Sequence, residues 1–316
     1  MTRVTLLAGG VGGAKLAEGL AEIPEITLTV IGNVADDEEF HGLWVSPDID
    51  TMLYTLSDRV NRDQGWGLAD EGNRALEMLN CLGADTWMFL GDRDFGLHIY
   101  RTERLRRGDR PSDILADIVS KFDINSKILL PTEAKVQTRV LTDCGWLSFQ
   151  VYFVKERCKP DVLELRYDGL ESSKITPQAE QALKEAELIV IAPSNPLVSI
   201  LPIIKIPGFY TALQETTAYI LAVSPLISGK ALKGPADRML TSLKYRADSV
   251  GVAHFYEDIA GYFLMDCSDR DLSGEVSKLG MIPYTTDILM PDLAGKVRLA
   301  HEILAIYKNE SRMDSK

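Results

Sequence analysis

Basic residues are scarce in this chain of 316 residues. Lys and Arg total 34 against 46 Asp and Glu, a formal net charge of −12. A field of that sign repels a phosphate backbone and argues against nucleic acid as the main partner. It still admits a small anionic ligand, because a local nest of amides or a bound cation reverses the sign inside one cleft. Cysteine is sparse as well. Cys81, Cys144, Cys158 and Cys267 have neither metal-ligand spacing nor the pattern of a disulfide framework, so they are expected as small apolar core residues. No apolar run is long enough for a membrane. Residues 4–8 are too short for a signal segment, and residues 200–210 are broken by Pro202, Lys205, Pro207 and Gly208. The expectation is a cytoplasmic protein. Missing too are a Gly-x-Ser-x-Gly elbow, a Cys/His pairing and a His-Glu-x-x-His helix, which leaves covalent hydrolysis and zinc chemistry unsupported.

What is present has the balance of a globular protein, with 46% apolar and 25% charged residues. Short apolar runs at 4–8, 27–31, 87–90, 188–192 and 219–223 each lead into a polar loop, and helical spacing follows, as at Leu16, Leu20 and Ile23. This alternation predicts an α/β fold, a Rossmann-like, mainly parallel sheet with flanking helices. The middle differs. Val136 and Val140, then Leu147, Phe149, Val151 and Phe153, alternate with polar residues around Asp143-Cys144-Gly145, and Leu163, Leu165 and Tyr167 offer a third strand. This predicts an antiparallel β insertion over about 127–170 within a single domain spanning 1–308. Thr176-Pro177 starts a helix with Ala179, Leu183 and Ala186 on one face. A last helix carries a stripe of Leu293, Val297, Ala300, Leu304 and Tyr307, and residues 309–316 read as a frayed tail.

The loops after the strands hold the candidate chemistry. Gly9-Gly10-Val11-Gly12-Gly13-Ala14-Lys15 lies between a strand and a helix, where free amides and the helix dipole bind an anion. It lacks the Lys-Ser/Thr of a Walker loop, and Lys15 replaces the third glycine of a dinucleotide fingerprint. After the second strand, Asn33 and Asp36 stand nearest the sheet's ligand edge, while Glu38 and Glu39 fit a solvated loop. In Ser46-Pro47-Asp48-Ile49-Asp50-Thr51, Asp50 caps a helix, or Asp48 and Asp50 ligate a hard cation beside a diphosphate; the chemistry leaves both open. Gly91-Asp92-Arg93-Asp94 sets two acids and a guanidinium directly after the run ending at Leu90, where burial without partners is costly. Of the nearby arginines, Arg101 is close enough to contact a ligand; His98 reads as a core histidine. Ser194, Asn195 and Pro196 join a strand to a helix. Ser224, Gly229, Lys230, Lys233 and Gly234 offer close backbone approach and two cations.

These five segments, in this order, resemble the CofD family, the 2-phospho-L-lactate transferases of coenzyme F420 biosynthesis, over nearly the whole chain. The resemblance implies a guanosine diphosphate-linked three-carbon acid as donor and the deazaflavin Fo as acceptor. The ribityl hydroxyl of Fo attacks phosphorus, GMP departs, and Mg²⁺ assists. It further implies Asp50, Asp92, Arg93 and Asp94 as catalytic residues, and Asp50 with Asp48 as metal ligands. Gly9, Gly10, Gly12, Gly13, Lys15, Asn33, Asp48, Thr51, Ser194, Asn195, Pro196, Ser224, Gly229 and Gly234 are implied to bind substrate, with a homodimer as the expected assembly. Gly12-Gly13-Ala14-Lys15 and Phe40-His41-Gly42-Leu43-Trp44 are similar to the bacterial branch, in which phosphoenolpyruvate stands as the alternative to phospholactate. The competing resemblance is to YvcK-like nucleotide-sugar binders, which share the glycine opening. A dinucleotide oxidoreductase is disfavoured by the missing third glycine.

Overall fold

The computed structural model describes residues 1–313. Chain order begins β1 (Thr2–Ala8), α1 (Gly10–Ala21), β2 (Ile26–Gly32), the hairpin β3 (Glu38–Phe40) and β4 (Leu43–Val45), and α2 (Pro47–Leu56). Then come α3 (Arg74–Cys81), α4 (Asp92–Arg106), α5 (Pro111–Lys121) and β5 (Lys127–Leu129). β6 (Gln137–Thr142), β7 (Gly145–Ser148) and β8 (Glu164–Asp168) form a separate antiparallel sheet. They are followed by α6 (Pro177–Glu185), β9 (Leu188–Ile191), β10 (Tyr219–Val223) and the short pair β11 (Leu226–Ile227) and β12 (Lys230–Ala231). β13 (Tyr262–Asp266), β14 (Ile282–Thr286) and a C-terminal helix, Leu293–Met313, close the described chain.

Seven strands make one sheet in the order β14-β13-β10-β9-β1-β2-β5, and every neighbouring pair is parallel. Winding reverses between β1 and β9. That junction is the switch point at which open α/β sheets bind ligands outside the carboxyl ends of the strands.

The strands are apolar at consecutive positions because both faces are covered. Leu6, Val30 and Val190 pack into one layer with Leu16, Leu20, Ile114 and Leu299 from flanking helices, while Leu7, Ile31 and Ile191 pack into the other with Leu183, Phe209 and Leu240. Thr176 caps α6, its hydroxyl accepting from the Ala179 amide at 3.2 Å. No single helix among the described residues is long and apolar enough to cross a membrane.

Several expectations need correction. Residues 87–90 are not a strand. Trp87 instead meets Phe40 edge-on at 5.4 Å in a small cluster with Leu76, Leu90 and Phe95, so the run is apolar because it covers the β3–β4 hairpin. The insertion's second strand stops at Ser148, and Val151–Lys155 turns into a π-helix that stacks Phe153 on Phe149. Residues 127–129 belong to the parallel sheet, not to the insertion. Ser46 is the N-cap of α2, placing Pro47 at its first position and Asp50 inside the first turn, so Asp50 is not the cap. Residues 309–313 continue the last helix; 314–316 lie outside the described residues. The inward stripe of that helix is Lys296, Leu299, Ala300, Ile303 and Leu304, and Leu293 is exposed. The cysteines are not core residues: Cys81, Cys144 and Cys267 are exposed and Cys158 half-buried, because they fall at helix ends and turns rather than on inward strand positions.

α1 and the C-terminal helix cross closely at Gly19, where a Cβ would lie 2.3 Å from the Lys296 carbonyl oxygen. An Ala for Gly exchange inside a helix ordinarily gains about 1 kcal/mol. Here the sign reverses, since the obstacle is backbone. Gly19→Ala is expected to cost about 1–3 kcal/mol, read as a lower denaturant midpoint.

Candidate active site

The ends of β1, β2 and β9 are drawn together by backbone bonds that outrun the ladder. The Ala8 carbonyl accepts from the Asn33 amide at 2.9 Å, and the Leu7 carbonyl from the Ala192 amide at 3.0 Å. Three loops therefore converge around Gly9, the residue preceding α1. Contacts there leave no room for side chains. A Cβ on Gly9 would sit 2.5 Å from Asp48 Oδ2 and 2.8 Å from Ser199 Cβ, and one on Gly12 would sit 2.3 Å from the Pro193 carbonyl oxygen. Gly10 has φ +62°, which favours glycine. Ser194 Oγ donates to the Gly9 carbonyl at 2.7 Å, and Asn195 caps the following π-turn by accepting from the Leu197 amide at 3.0 Å. The start of α1 is thus an amide terminus fixed by neighbours on both sides, with its Gly10 amide turned to Asp48.

Asn33 links this cradle to the acids. Its Nδ2 donates to Asp48 Oδ2 at 2.9 Å and to the Val198 carbonyl at 3.1 Å. Asp36, Asp37, Asp48 and Asp50 are all buried. Burial raises the Asp48 carboxyl to about 6, opposed by bonds from Asn33 and the Gly10 amide. Asp36 is pushed well above the usual carboxylate range by burial and by neighbouring Asp48. Asp37 is pushed up to about 8 by burial, although Ser46 Oγ donates to its Oδ2 at 2.7 Å and Trp44 Nε1 at 3.2 Å. One oxygen of Asp36 and one of Asp37 have no hydrogen-bond partner. Such orphaned oxygens suit a hard cation. Among the described residues no three acidic, His or Cys side chains form a ready metal cage. Mg²⁺ does not require one, since it uses one or two carboxylates together with substrate phosphates. The donor set fits that ion.

Asp50 faces a different partner. Arg101 Nη2 bonds Asp50 Oδ1, and Arg101 Nη1 donates to Oδ2 at 3.1 Å. His98 Nδ1 lies 3.7 Å from the same oxygen, and burial pushes that imidazole down to about 4, so it is neutral. Arg101 also borders an apolar cavity of about 250 Å³ walled by Ile49, Leu105, Ile114, Ile118 and Leu130, with Asp37 at its polar edge.

A family model described as 2-phospho-L-lactate transferase CofD matches residues 4–290. The chain belongs to this family of transferases. A "2-phospho-L-lactate transferase" of Methanococcoides burtonii is 34% identical over 305 residues, covering 96% of this chain and 99% of that protein. One from Methanopyrus kandleri is 36% identical over 310 residues, with 97% and 98% covered. A "Phosphoenolpyruvate transferase" of Streptomyces coelicolor is 32% identical over 311 residues, with 96% and 98% covered. A solved Bacillus halodurans structure described as a member of the UPF0052 family shares the fold, with TM-score 0.64, 16% identity and 96% and 100% of the two chains covered.

Against this CofD family arrangement the expected site residues divide. Gly9, Gly10, Gly12, Gly13, Asn33, Asp48, Ser194, Asn195 and Pro196 meet at the switch point. Asp50 adjoins them through α2. Lys15 reaches away from the cradle, donating to the Met290 carbonyl at 2.9 Å. Thr51 turns back on its own helix and bonds the Pro47 carbonyl at 2.8 Å. The side chains of the 91–94 segment have structural partners: Asp92 accepts from the Ala75 amide at 3.0 Å, exposed Arg93 donates to the Ala69 carbonyl at 3.0 Å, and Asp94 accepts from Tyr54 Oη at 2.7 Å. Ser224 is turned inward toward Ser249 at 3.1 Å; Gly229 and Gly234 supply positive φ in their turns. Asp37 and the Arg101 clamp on Asp50 are the features sequence reading missed. Their signal was an acid pair four residues past a strand end and an arginine nine residues beyond the start of a helix; neither pattern shows which face is buried.

Asp37 has a titration consequence. Its carboxyl lies near 8 in the fold against an ordinary 3.8, so folding favours the protonated form. That stability is present below the ordinary value and lost as pH rises through the raised one, at up to about 1.4 kcal/mol per pH unit. Thermal midpoints recorded from pH 5 to 8 without added metal should fall less steeply for Asp37→Asn than for wild type. Equal slopes would show that Asp37 stays ionised throughout.

Proposed function

We propose that the chain moves a phosphorylated three-carbon acid, phospholactate or phosphoenolpyruvate, from a guanosine diphosphate-linked donor to the terminal ribityl hydroxyl of the deazaflavin Fo, a step in coenzyme F420 biosynthesis. The observation that carries this reading is the convergence of the 9–13 amides, Asn33, Ser194-Asn195 and the buried acids at one switch point. Phosphoryl transfer needs positioning and charge neutralisation more than a covalent nucleophile, and the Ser194 hydroxyl in the cradle is engaged by the Gly9 carbonyl. The amides at the start of α1 suit the diphosphate. The hydroxyl oxygen forms a new bond to the phosphorus bearing the acid, the bond to GMP breaks, and the hydroxyl proton passes to Asp50. Arg101 holds that carboxylate in one plane, leaving outward lone pairs to orient the hydroxyl. Asp48, with Asp36 and Asp50 beside it, is the proposed holder of Mg²⁺, which neutralises charge on the phosphates when bound. The apolar cavity next to Arg101 supports a planar acceptor near Asp50.

Incubation with Fo, Mg²⁺ and GTP-derived donors of each acid, with products read by mass, is expected to give an Fo adduct with at least one donor. Asp50→Asn, which keeps a carbonyl oxygen toward Arg101, should fold with a lowered thermal midpoint and lower kcat by about 10²–10⁴, and EDTA should abolish turnover until Mg²⁺ is restored. No Fo adduct with either donor removes the proposed reaction. Full activity in Asp50→Asn removes the central role of that carboxylate.

A further inference from the structure

Lys296 and Lys121 meet carboxylates, those of Glu18 and Asp117. Two near the start of α1 are held differently. Lys15 Nζ donates to the Met290 carbonyl at 2.9 Å, and Lys233 Nζ to the Gln64 carbonyl at 2.7 Å. Among the described residues, neither makes an ion pair. The two ammonium groups also sense each other: burial first, then the Lys233 charge, pushes Lys15 down from its ordinary value.

The carbonyl that holds Lys233 belongs to a compact loop. The Asn61 amide donates to the Gly67 carbonyl and the Gly65 amide to the Asn61 carbonyl, both at 2.8 Å, while Asn61 Oδ1 accepts from the Asp63 and Gln64 amides. The tip of this loop rests on the first turn of α1. A Cβ on Gly65 would lie 3.2 Å from Val11 Cγ1 and 3.3 Å from Lys233 Nζ. At its base, Arg62 pairs with Glu18 of α1 and with Asp58. Loop, lysine and helix start therefore meet at the end of α1 that the 9–13 amides surround.

We propose that Lys233 is a ligand of the donor's diphosphate, held on the Gln64 carbonyl until the donor arrives and exchanging that carbonyl for a phosphate oxygen on binding. This rests on the reading that the 9–13 loop receives a nucleoside diphosphate. The exchange is favourable because a bond from an ammonium to a phosphate is charge-assisted at both ends, whereas the carbonyl is neutral. The released Gln64 carbonyl sits in an exposed loop and turns to water, so little is lost there. Donor binding would then free the 61–67 loop from the 233 side chain and couple the loop to occupancy of the cradle.

The test uses the full chain, titrated by calorimetry with GDP, inorganic pyrophosphate and guanosine, with amide exchange followed over residues 61–67. Lys233 is exposed, so its replacement leaves the core intact. Lys233→Met is expected to bind GDP and pyrophosphate at least about tenfold more weakly and guanosine as wild type does, with Lys233→Arg recovering most of the loss. GDP should speed exchange in the loop of the wild type, and Lys233→Met should show that faster exchange without ligand. Unchanged GDP affinity in Lys233→Met, or an equal loss for guanosine, overturns the ligand role. Loop exchange that ignores both GDP and the substitution overturns the coupling. Wild-type protein that binds neither GDP nor pyrophosphate defeats the donor-site reading itself, a result distinct from the other two.

Discussion

One buried guanidinium balances the acids of the site. Asp36, Asp37, Asp48 and Asp50 are withdrawn from water in a chain that already carries excess negative charge, and Arg101 stands between Asp50 and Asp37 as the buried cation among them. Burying carboxylates this way is expensive, and removing the partner of a buried pair costs about 3–5 kcal/mol. Beyond the cation's reach the acids resist ionisation, as the raised values of Asp36 and Asp48 show. The acids are therefore a store of unfavourable charge that a bound cation would relieve. That is a poor arrangement for stability and a useful one for phosphoryl transfer, which places a metal and a diphosphate together.

The glycine cradle follows the same economy of space. The backbone at Gly9 and Gly12 is packed so tightly against Asp48, Ser199 and Pro193 that side chains are excluded at those two positions. What remains at the helix start is amides, with Asp48 held beside them by Asn33 and by the first turn of α2. Amides favour an anion at one end of the site and carboxylates favour a cation at the other, only a few residues apart in space. The sheet topology makes this possible, because β1 lies between β9 and β2 and carries both loops to its own end.

The fold was largely legible along the chain. Continuous apolar runs such as Val4 to Ala8 and Leu188–Ile191 can be buried on both faces only in a covered parallel sheet, and the alternation around Asp143-Cys144-Gly145 could belong only to a hairpin. The run at residues 87–90 misled because a short apolar stretch looks the same whether it joins a sheet or covers a hairpin. The exposed cysteines misled for a related reason: composition speaks of residue types, while burial depends on the position each takes in a helix or turn.

Within the site, the amino-acid order alone settled what lies at strand ends: glycines before a helix, Asn33 after a strand, and a Ser-Pro-Asp start to α2. These are local features, set by backbone sterics and by hydrogen bonds a few residues long. Tertiary packing decided the rest. It paired Asp50 with Arg101 across fifty-one positions, buried Asp37 under Trp44 and Ser46, and turned Asp92 and Asp94 toward Ala75 and Tyr54. The reason is physical: the electrostatic role of a carboxylate depends on what surrounds it in space, and those neighbours come from distant parts of the chain.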